Sequence, residues 1–441
     1  MHIAKRLALG LAWLIGPVLI FVGININDPY FVWLRGVGSA GLVAASLAVV
    51  AVLLRHGFWR GVLGRLLVLL WLLPSLSMLC ATASFEVRKQ RVLHTRISRA
   101  HALGRHFVVG YSSFDEVARL AEKGLIGGVY ITRHNVAGRS VDAVKSELSA
   151  LQERRRIAGL PPLIVAADQE GGIVSHLAPP LTALPALATL ADLPAEIRKQ
   201  KAEAYGRIQG RELASLGITQ NFAPVLDLRL DAGRYLFDYP TQIGQRAISG
   251  DPVVVSDIAL AYVHGLEASG VEATIKHFPG LGRLHADTHH FKANLDTPVE
   301  QLEAVDWRPF RDVLAGSTAE LMIGHVNLTA IDPDRPASHS KRVVDGLIRN
   351  KWNYQGVIIT DDLVMGAIYG HGLCTAAVEA LNAGVDLLLV AYDGAQFYRI
   401  FACASEAAAR GALDAVMLER SEARLERSGP EAAMRHRMTS R

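Results

Sequence analysis

The run Lys276-His277-Phe278-Pro279-Gly280-Leu281-Gly282 puts a cation and an imidazole beside a glycine-hinged loop, and Ala286-Asp287-Thr288-His289 follows directly. An imidazole titrates near neutrality and can carry a proton either way. Further along, Val357-Ile358-Ile359-Thr360-Asp361-Asp362-Leu363 ends an apolar run in paired carboxylates. A carboxylate nucleophile with an imidazole proton carrier is equipment for covalent and acid/base chemistry. Two blander readings stand beside this one. Adjacent Asp residues after a strand can cap the next helix. His285, Asp287, His289 and His290 could form a metal cluster or a solvated polar loop, but no second His/Cys cluster accompanies them, so no metal is expected.

The elements that must hold these groups alternate from about residue 104 onward. Short β-branched runs at Phe107 to Tyr111, Gly128 to Thr132, Leu163 to Asp168, Gln220 to Leu226, Ala273 to His277, Leu321 to His325, Val357 to Asp361 and Val385 to Ala391 read as strands. Amphipathic stretches between them, at Phe114 to Lys123, Val141 to Arg155, Glu196 to Leu216, Val253 to Ala268, Val299 to Leu314, Lys341 to Lys351 and Thr375 to Asn382, read as helices. The alternation predicts an α/β fold, a (β/α)8 TIM barrel. Asp168, His277, His325 and Asp361 then fall at the carboxyl ends of strands three, five, six and seven, where such barrels open their active sites.

With Ala167-Asp168-Gln169-Glu170-Gly171-Gly172 and Asn221-Phe222-Ala223-Pro224-Val225-Leu226-Asp227, these motifs resemble glycoside hydrolase family 3 over roughly residues 104 to 425. Within the family they are similar to the single-domain β-N-acetylglucosaminidases of peptidoglycan turnover. Four motifs in one order are specific where any single one would be weak. The resemblance implies Asp361 as nucleophile and Asp287 with His289 as the acid/base dyad. It implies Asp168, Arg246, Lys276, His277 and His176 as sugar-contacting positions, with His325 a weaker candidate that alone reads as a satisfied barrel histidine. No cofactor is implied. The chain departs from the family pattern at Ile173 and His176, where Arg is usual, at Leu281, where His is usual, and at Ile248, where an aromatic is usual.

The front of the chain is of another kind. Apolar runs at about 7–24, 37–54 and 66–83 are each long enough to cross a bilayer core and read as three transmembrane helices. Lys5 and Arg6 open the first run as they would a signal peptide, but Asn25-Ile26-Asn27-Asp28-Pro29 follows it instead of a small-residue cleavage pattern. The expected organisation is a membrane region at 1–97, a barrel at 98–428 and a basic tail at 429–441. Arg55, Arg60 and Arg65 in the second loop, against Arg35 in the first, favour a cytoplasmic amino end and a multi-pass anchor with the barrel on the periplasmic or extracellular side. Arg88, Lys89, Arg91 and Arg96 argue the opposite way.

Residues 1–100 hold 11 Lys or Arg against Asp28 and Glu86, while the whole chain has a formal charge of only +4, so the remainder is acidic on balance. The basic character belongs to the front of the chain and gives the large domain no nucleic-acid surface. Cys80, Cys374 and Cys403 show no paired spacing and read as buried thiols. The expected partners are a carbohydrate substrate, such as an amino-sugar glycoside or muropeptide, and membrane lipid. The expected function is a retaining glycosidase releasing terminal β-linked N-acetylglucosamine. A phosphorylase of the same family and a non-catalytic muropeptide sensor on the membrane stand as alternatives.

Overall fold

All eight apolar runs become parallel strands: β1 Phe107–Gly110, β2 Gly128–Ile131, β3 Ile164–Ala167, β4 Gln220–Asn221, β5 Glu272–Phe278, β6 Glu320–Ile323, β7 Ile358–Thr360 and β8 Leu388–Val390. The structure, a computed structural model, describes residues 2–230, 242–284, 292–369 and 371–428. The Asp287/His289 pair and the 429–441 tail lie outside the described residues.

Neighbouring strands pair in chain order, with β1 also against β8. A single bridge between Ile359 and Leu387 joins β7 to β8, so the sheet is nearly closed into a barrel. Its interior is filled by Val108, Tyr130, Ala166, Phe222, Met322, Val357, Ile359, Leu387 and Leu389. Strands buried on both faces need continuous apolar runs, and this explains why the runs were legible. The fourth strand is shorter than its apolar run because Pro224 has no N–H to give the ladder. Val225 rejoins as an isolated bridge to Lys276.

The helices follow the expected spans, with longer additions at Ile97–Gly104, Phe397–Ala409 and Ala415–Ser428 and short ones such as Arg133–Val136 and Ile243–Arg246. Phe397 and Phe401 stack against Phe107 at 5.4 and 5.6 Å, packing the eighth barrel helix onto the first strand. The stretch expected as one helix from Val299 is broken. Trp307 donates its N–H to Leu302 in a wide turn, and a second helix starts at Arg308 with Pro309 in its first turn.

The chain divides into two compact units, Met1–His94 and Thr95–Arg441. The first holds helices His2–Ile24, Val37–Arg55 and Val62–Leu93. Two of these, Val37–Arg55 and Val62–Leu93, are long and apolar enough to cross a membrane by length and composition, whereas the apolar part of the first, Leu9–Ile24, is shorter. Among the described residues, two of the three expected spans are thereby matched. The third helix also runs past its expected end at 83 and carries Arg88, Lys89 and Arg91 within it. Trp71 sits at the centre of this unit among Leu67, Val68, Val50 and Leu53, and its indole donates to the Ala12 carbonyl at 3.1 Å.

The reading of three buried thiols needs correction. Cys374 and Cys403 form a disulfide between helices Leu373–Ala383 and Phe397–Ala409, with Cα atoms 5.5 Å apart, and Cys80 is free and exposed. A separation of 29 residues across two helices leaves no local spacing signal, and only the barrel's closure brings the helices together. Thiol titration of the denatured chain without reductant is expected to find one thiol, rising to three after reduction. Cys374→Ser is expected to lower stability by ~3–4 kcal/mol, the loop-closure value for a crosslink of this span, measured by urea denaturation.

Candidate active site

The carboxyl end of β3 turns back on itself through Gln169–Gly171 and Val174–Ser175, a small antiparallel pair. Asn221 fixes this turn as a surrogate strand: its side chain accepts from the Gln169 N–H and donates to the Gln169 carbonyl, both at 2.9 Å. Gly171 makes the turn possible, since it has φ +92° and a Cβ there would lie 1.8 Å from the Tyr205 hydroxyl. The result projects Asp168 and Glu170 toward the barrel mouth.

Lys276 and His277 arrive from the end of β5 and meet them. The Lys276 ammonium lies between Asp168 and Glu170, 2.7 Å from Glu170 Oε1 and in direct contact with Asp168 Oδ1. Arg246, at the end of the short helix Ile243–Arg246, grips Glu170 bidentately at 2.6 and 2.9 Å. The buried Glu170 and the half-buried Asp168 thus face the buried Lys276 and the largely buried Arg246, the pairing that burial demands of charge. Burial alone would raise Glu170, but Arg246 and Lys276 outweigh it and hold the carboxyl below its ordinary range. Lys276 is likewise raised, since Asp168 and Glu170 overcome the lowering effect of burial.

His277 is held in one orientation. Its Nδ1–H donates to Asp227 Oδ2 at 2.6 Å, and an Arg246 Nη2–H donates to its Nε2 at 3.3 Å. The other Asp227 oxygen accepts the Leu281 N–H at 2.7 Å, fixing the start of the glycine loop. Tyr130, stacked on Phe222, donates its hydroxyl to Asp168 Oδ2. His176 stands 3.4 Å from that hydroxyl through Nδ1, and its neighbour Ile173 is exposed. Asp168, Lys276, His277, Arg246 and His176 are therefore brought together as expected positions. Glu170, Asp227 and Tyr130 complete the network. Glu170 and Asp227 were visible inside their motifs but carried no assigned role, and Tyr130 ends an apolar strand with nothing local to mark it.

Asp361 follows β7, half-buried, its N–H bonded to the Ile323 carbonyl at 2.9 Å and its Oδ1 accepting the Asp362 N–H at 2.8 Å. Asp362 points elsewhere. Its carboxyl is buried and accepts three backbone N–H groups, from Val364, Ala391 and Tyr392 at 3.1, 2.9 and 2.8 Å. Burial still pushes it up to about 6, and the adjacent Asp361 adds to the rise. The capping role and the outward-facing role therefore fall to different members of the pair. His325 is buried, with Nδ1 against Ser338 Oγ at 2.8 Å and Nε2 against the Asp362 carbonyl at 2.9 Å. It supports the Asp361–Asp362 segment from beneath.

The loop 285–291 lies outside the described residues, but its approaches are firmly held. Arg283 pairs with Asp306 at 2.9 Å, the Trp307 indole donates to the Pro279 carbonyl at 3.0 Å, and Ala293–Leu295 pairs with Val326–Leu328 beyond it. Phe278, Trp307, Phe310 and Trp352 pack edge to face under this corner. A polar hollow of about 970 Å³ lies at the opposite end of the barrel, bordered by Glu272, Ala319 and Gly356 near the strand starts. Barrel chemistry belongs to the other face.

A largely buried, charge-balanced cluster on the same barrel rim as the half-buried Asp361 can grip hydroxyl groups, and the Asp361 carboxylate can stabilise positive charge developing next to it. The sequence profile described as the glycosyl hydrolase family 3 N terminal domain matches residues 101–427. A beta-hexosaminidase of Nitrosomonas eutropha is 34% identical over 273 residues, covering 61% of this chain and 74% of that protein. One from Tolumonas auensis is 35% identical over 266 residues, covering 60% and 75%. Among solved structures, a family 3 β-N-acetylglucosaminidase from a Paenibacillus species superposes with TM-score 0.68 at 30% identity, covering 77% of this chain and 63% of that one. A β-N-acetylhexosaminidase from Beutenbergia cavernae gives 0.65 at 28%, covering 75% and 98%. The chain belongs to glycoside hydrolase family 3 and is a glycoside hydrolase.

Proposed function

We propose that this enzyme removes terminal β-linked N-acetylglucosamine with retention of configuration, from peptidoglycan-derived fragments, and that its amino-terminal helices hold it on a membrane. The observation that carries the activity is the Asp168/Glu170/Lys276/Arg246 cluster on the same barrel rim as the half-buried Asp361, together with relatives that are beta-hexosaminidases. Asp361 attacks the anomeric carbon while the bond to the leaving oxygen breaks, and His289, protonated and oriented by Asp287, gives that oxygen its proton. The product is a glycosyl ester on Asp361. Water then attacks the anomeric carbon, passes a proton to His289 and frees the Asp361 carboxylate, so the sugar leaves with its original configuration. Asp168, Arg246, Lys276, His277 and His176 orient the sugar, and His325 acts as a positioning residue under the nucleophile.

His289→Ala tests the dyad. With an aglycone that needs protonation, kcat is expected to fall by roughly 10²–10⁴-fold, the usual worth of a positioned acid/base. With a dinitrophenyl leaving group the first step should be largely spared, so that the glycosyl-enzyme accumulates and is visible by intact mass. Equal losses of kcat/KM, which reports the first step, on both substrates would remove His289 from the acid role.

The membrane reading is supported by the two long apolar helices and by the basic second loop. The external side for the barrel is supported by the Cys374–Cys403 disulfide, since such bonds persist in oxidising compartments. Protease added to sealed cells or spheroplasts tests it: digestion of the barrel without lysis agrees, and protection until lysis reverses the topology.

A further inference from the structure

Behind the Asp361 segment lies a group of side chains that the hydrolytic mechanism does not use. His339 ends the turn Ala337–His339, and His371 precedes the helix Leu373–Ala383, on which Glu379 sits one to two turns along. One ligand atom from each of the three lies within 4.8 Å of the others. The two imidazole rings are tilted against each other at 4.6 Å, and His371 Nε2 is 2.7 Å from Glu379 Oε2.

An ordinary His–Glu bridge accounts for His371 and Glu379 but leaves one fact over. His339 is 1% exposed, and its Nε2 has no hydrogen-bond partner. A buried polar atom without a partner costs ~1–3 kcal/mol and calls for an explanation. A neutral imidazole offers one nitrogen lone pair, and a bound ion would give the buried Nε2 the partner it lacks.

We infer that His339, His371 and Glu379 form a binding site for a divalent transition ion, with Zn²⁺ the best match to two imidazoles and one carboxylate. Such a His₂Glu set gives three protein ligands and an open fourth position. The side chains of His371 and Glu379 are 26% and 24% exposed, so an ion can enter and water can occupy that position. Ligands ~2.0–2.1 Å from a tetrahedral ion sit roughly 3.3 Å apart, so closure requires the group to draw in by about 1.5 Å. The supporting shell is in place. Arg335 Nε donates to the other Glu379 oxygen at 3.0 Å, and Ser338 Oγ lies 3.1 Å from His339 Nδ1. Ser338 is also the partner of His325, whose other nitrogen meets the Asp362 carbonyl. An ion here clips the turn 337–339 to the helix 373–383 and, through Ser338 and His325, steadies the segment carrying Asp361.

The test uses the full chain in detergent, stripped with a chelator and titrated calorimetrically with Zn²⁺, with metal content measured after desalting. One ion per chain is expected, with a rise of several degrees in Tm. Glu379→Gln and His371→Ala, both at partly exposed positions, should each weaken binding by more than a hundredfold while the Tm of the metal-free proteins stays near wild type. Should those variants fail to fold, Co²⁺ added to the wild-type chain gives a reading of its own: visible bands of four-coordinate geometry support the site. Absence of stoichiometric binding, only six-coordinate Co²⁺ bands, or binding unchanged in both variants overturns it, and unchanged binding would move the ion to the histidines of 285–290.

Discussion

Asp361→Asn is expected to lower kcat/KM for a β-N-acetylglucosaminide by roughly 10⁴-fold, about 5.4 kcal/mol of transition-state stabilisation, with the fold intact. The amide keeps the shape of the side chain and its Oδ1 can still accept the Asp362 N–H, so the structural contact survives. What is lost is the anion that captures the anomeric carbon. Azide supplied to this variant should restore turnover as a glycosyl azide of inverted configuration, since the external anion then attacks in place of the carboxylate. The neighbouring Asp362→Asn gives the contrast. Its carboxyl binds three backbone N–H groups that tie the strand end to residues 391 and 392, so its loss should appear mainly as ~1–3 kcal/mol of stability. If Asp361→Asn retained activity within tenfold, Asp361 would not be the nucleophile.

Lys276→Met should be the most destabilising change in the barrel mouth, at ~3–5 kcal/mol near pH 7, because it leaves the buried Glu170 and the half-buried Asp168 without their shared cation. The pH dependence identifies the cause. Glu170 has its folded value depressed below the unfolded 4.5, so at pH values below 4.5 the unfolded chain holds more protons than the native one. Its stabilisation is complete above that value and is lost as pH falls toward the folded one. In Lys276→Met the depression is smaller, so the stability gap from wild type is expected to narrow on acidification below about pH 4.5. Urea denaturation from pH 7 to pH 3 measures both. A gap below 1 kcal/mol at pH 7, or one that does not change with pH, contradicts the paired-charge account.

The strand ends were legible because a barrel interior requires near-continuous apolar runs, and each of the eight ends in a polar residue or turn signal. The sequence placed Asp168, His277 and Asp361 at one end of the barrel for that reason. It was silent on Tyr130, whose hydroxyl acquires meaning only when β2 lies beside β3 and Asp168 comes within reach. For the paired carboxylates it offered Asp361 as nucleophile and helix capping as the alternative, but two of the three N–H groups that claim Asp362 come from residues 391 and 392, beyond any local pattern. The disulfide was missed on the same principle, a contact between two outer helices with no local pattern. At the front of the chain, apolar run length suggested three spans, and among the described residues two helices pass by length and composition. The departures from the family pattern have distinct places. Ile248 and Leu281 are buried packing, whereas Ile173 is exposed beside the Asp168 turn and His176 stands close to the Tyr130 hydroxyl. Specificity is therefore expected to differ from that of relatives through residues 173 and 176.

The most direct measurement assays the full chain in detergent against p-nitrophenyl β-N-acetylglucosaminide beside the matching β-glucoside, each with and without phosphate. The account predicts turnover of the acetamido sugar, much slower turnover of the glucoside, and free N-acetylglucosamine as product whether or not phosphate is present. A sugar phosphate formed only with phosphate would make the enzyme a phosphorylase. Binding of muropeptide without turnover of either sugar would contradict catalysis and leave a membrane-held receptor.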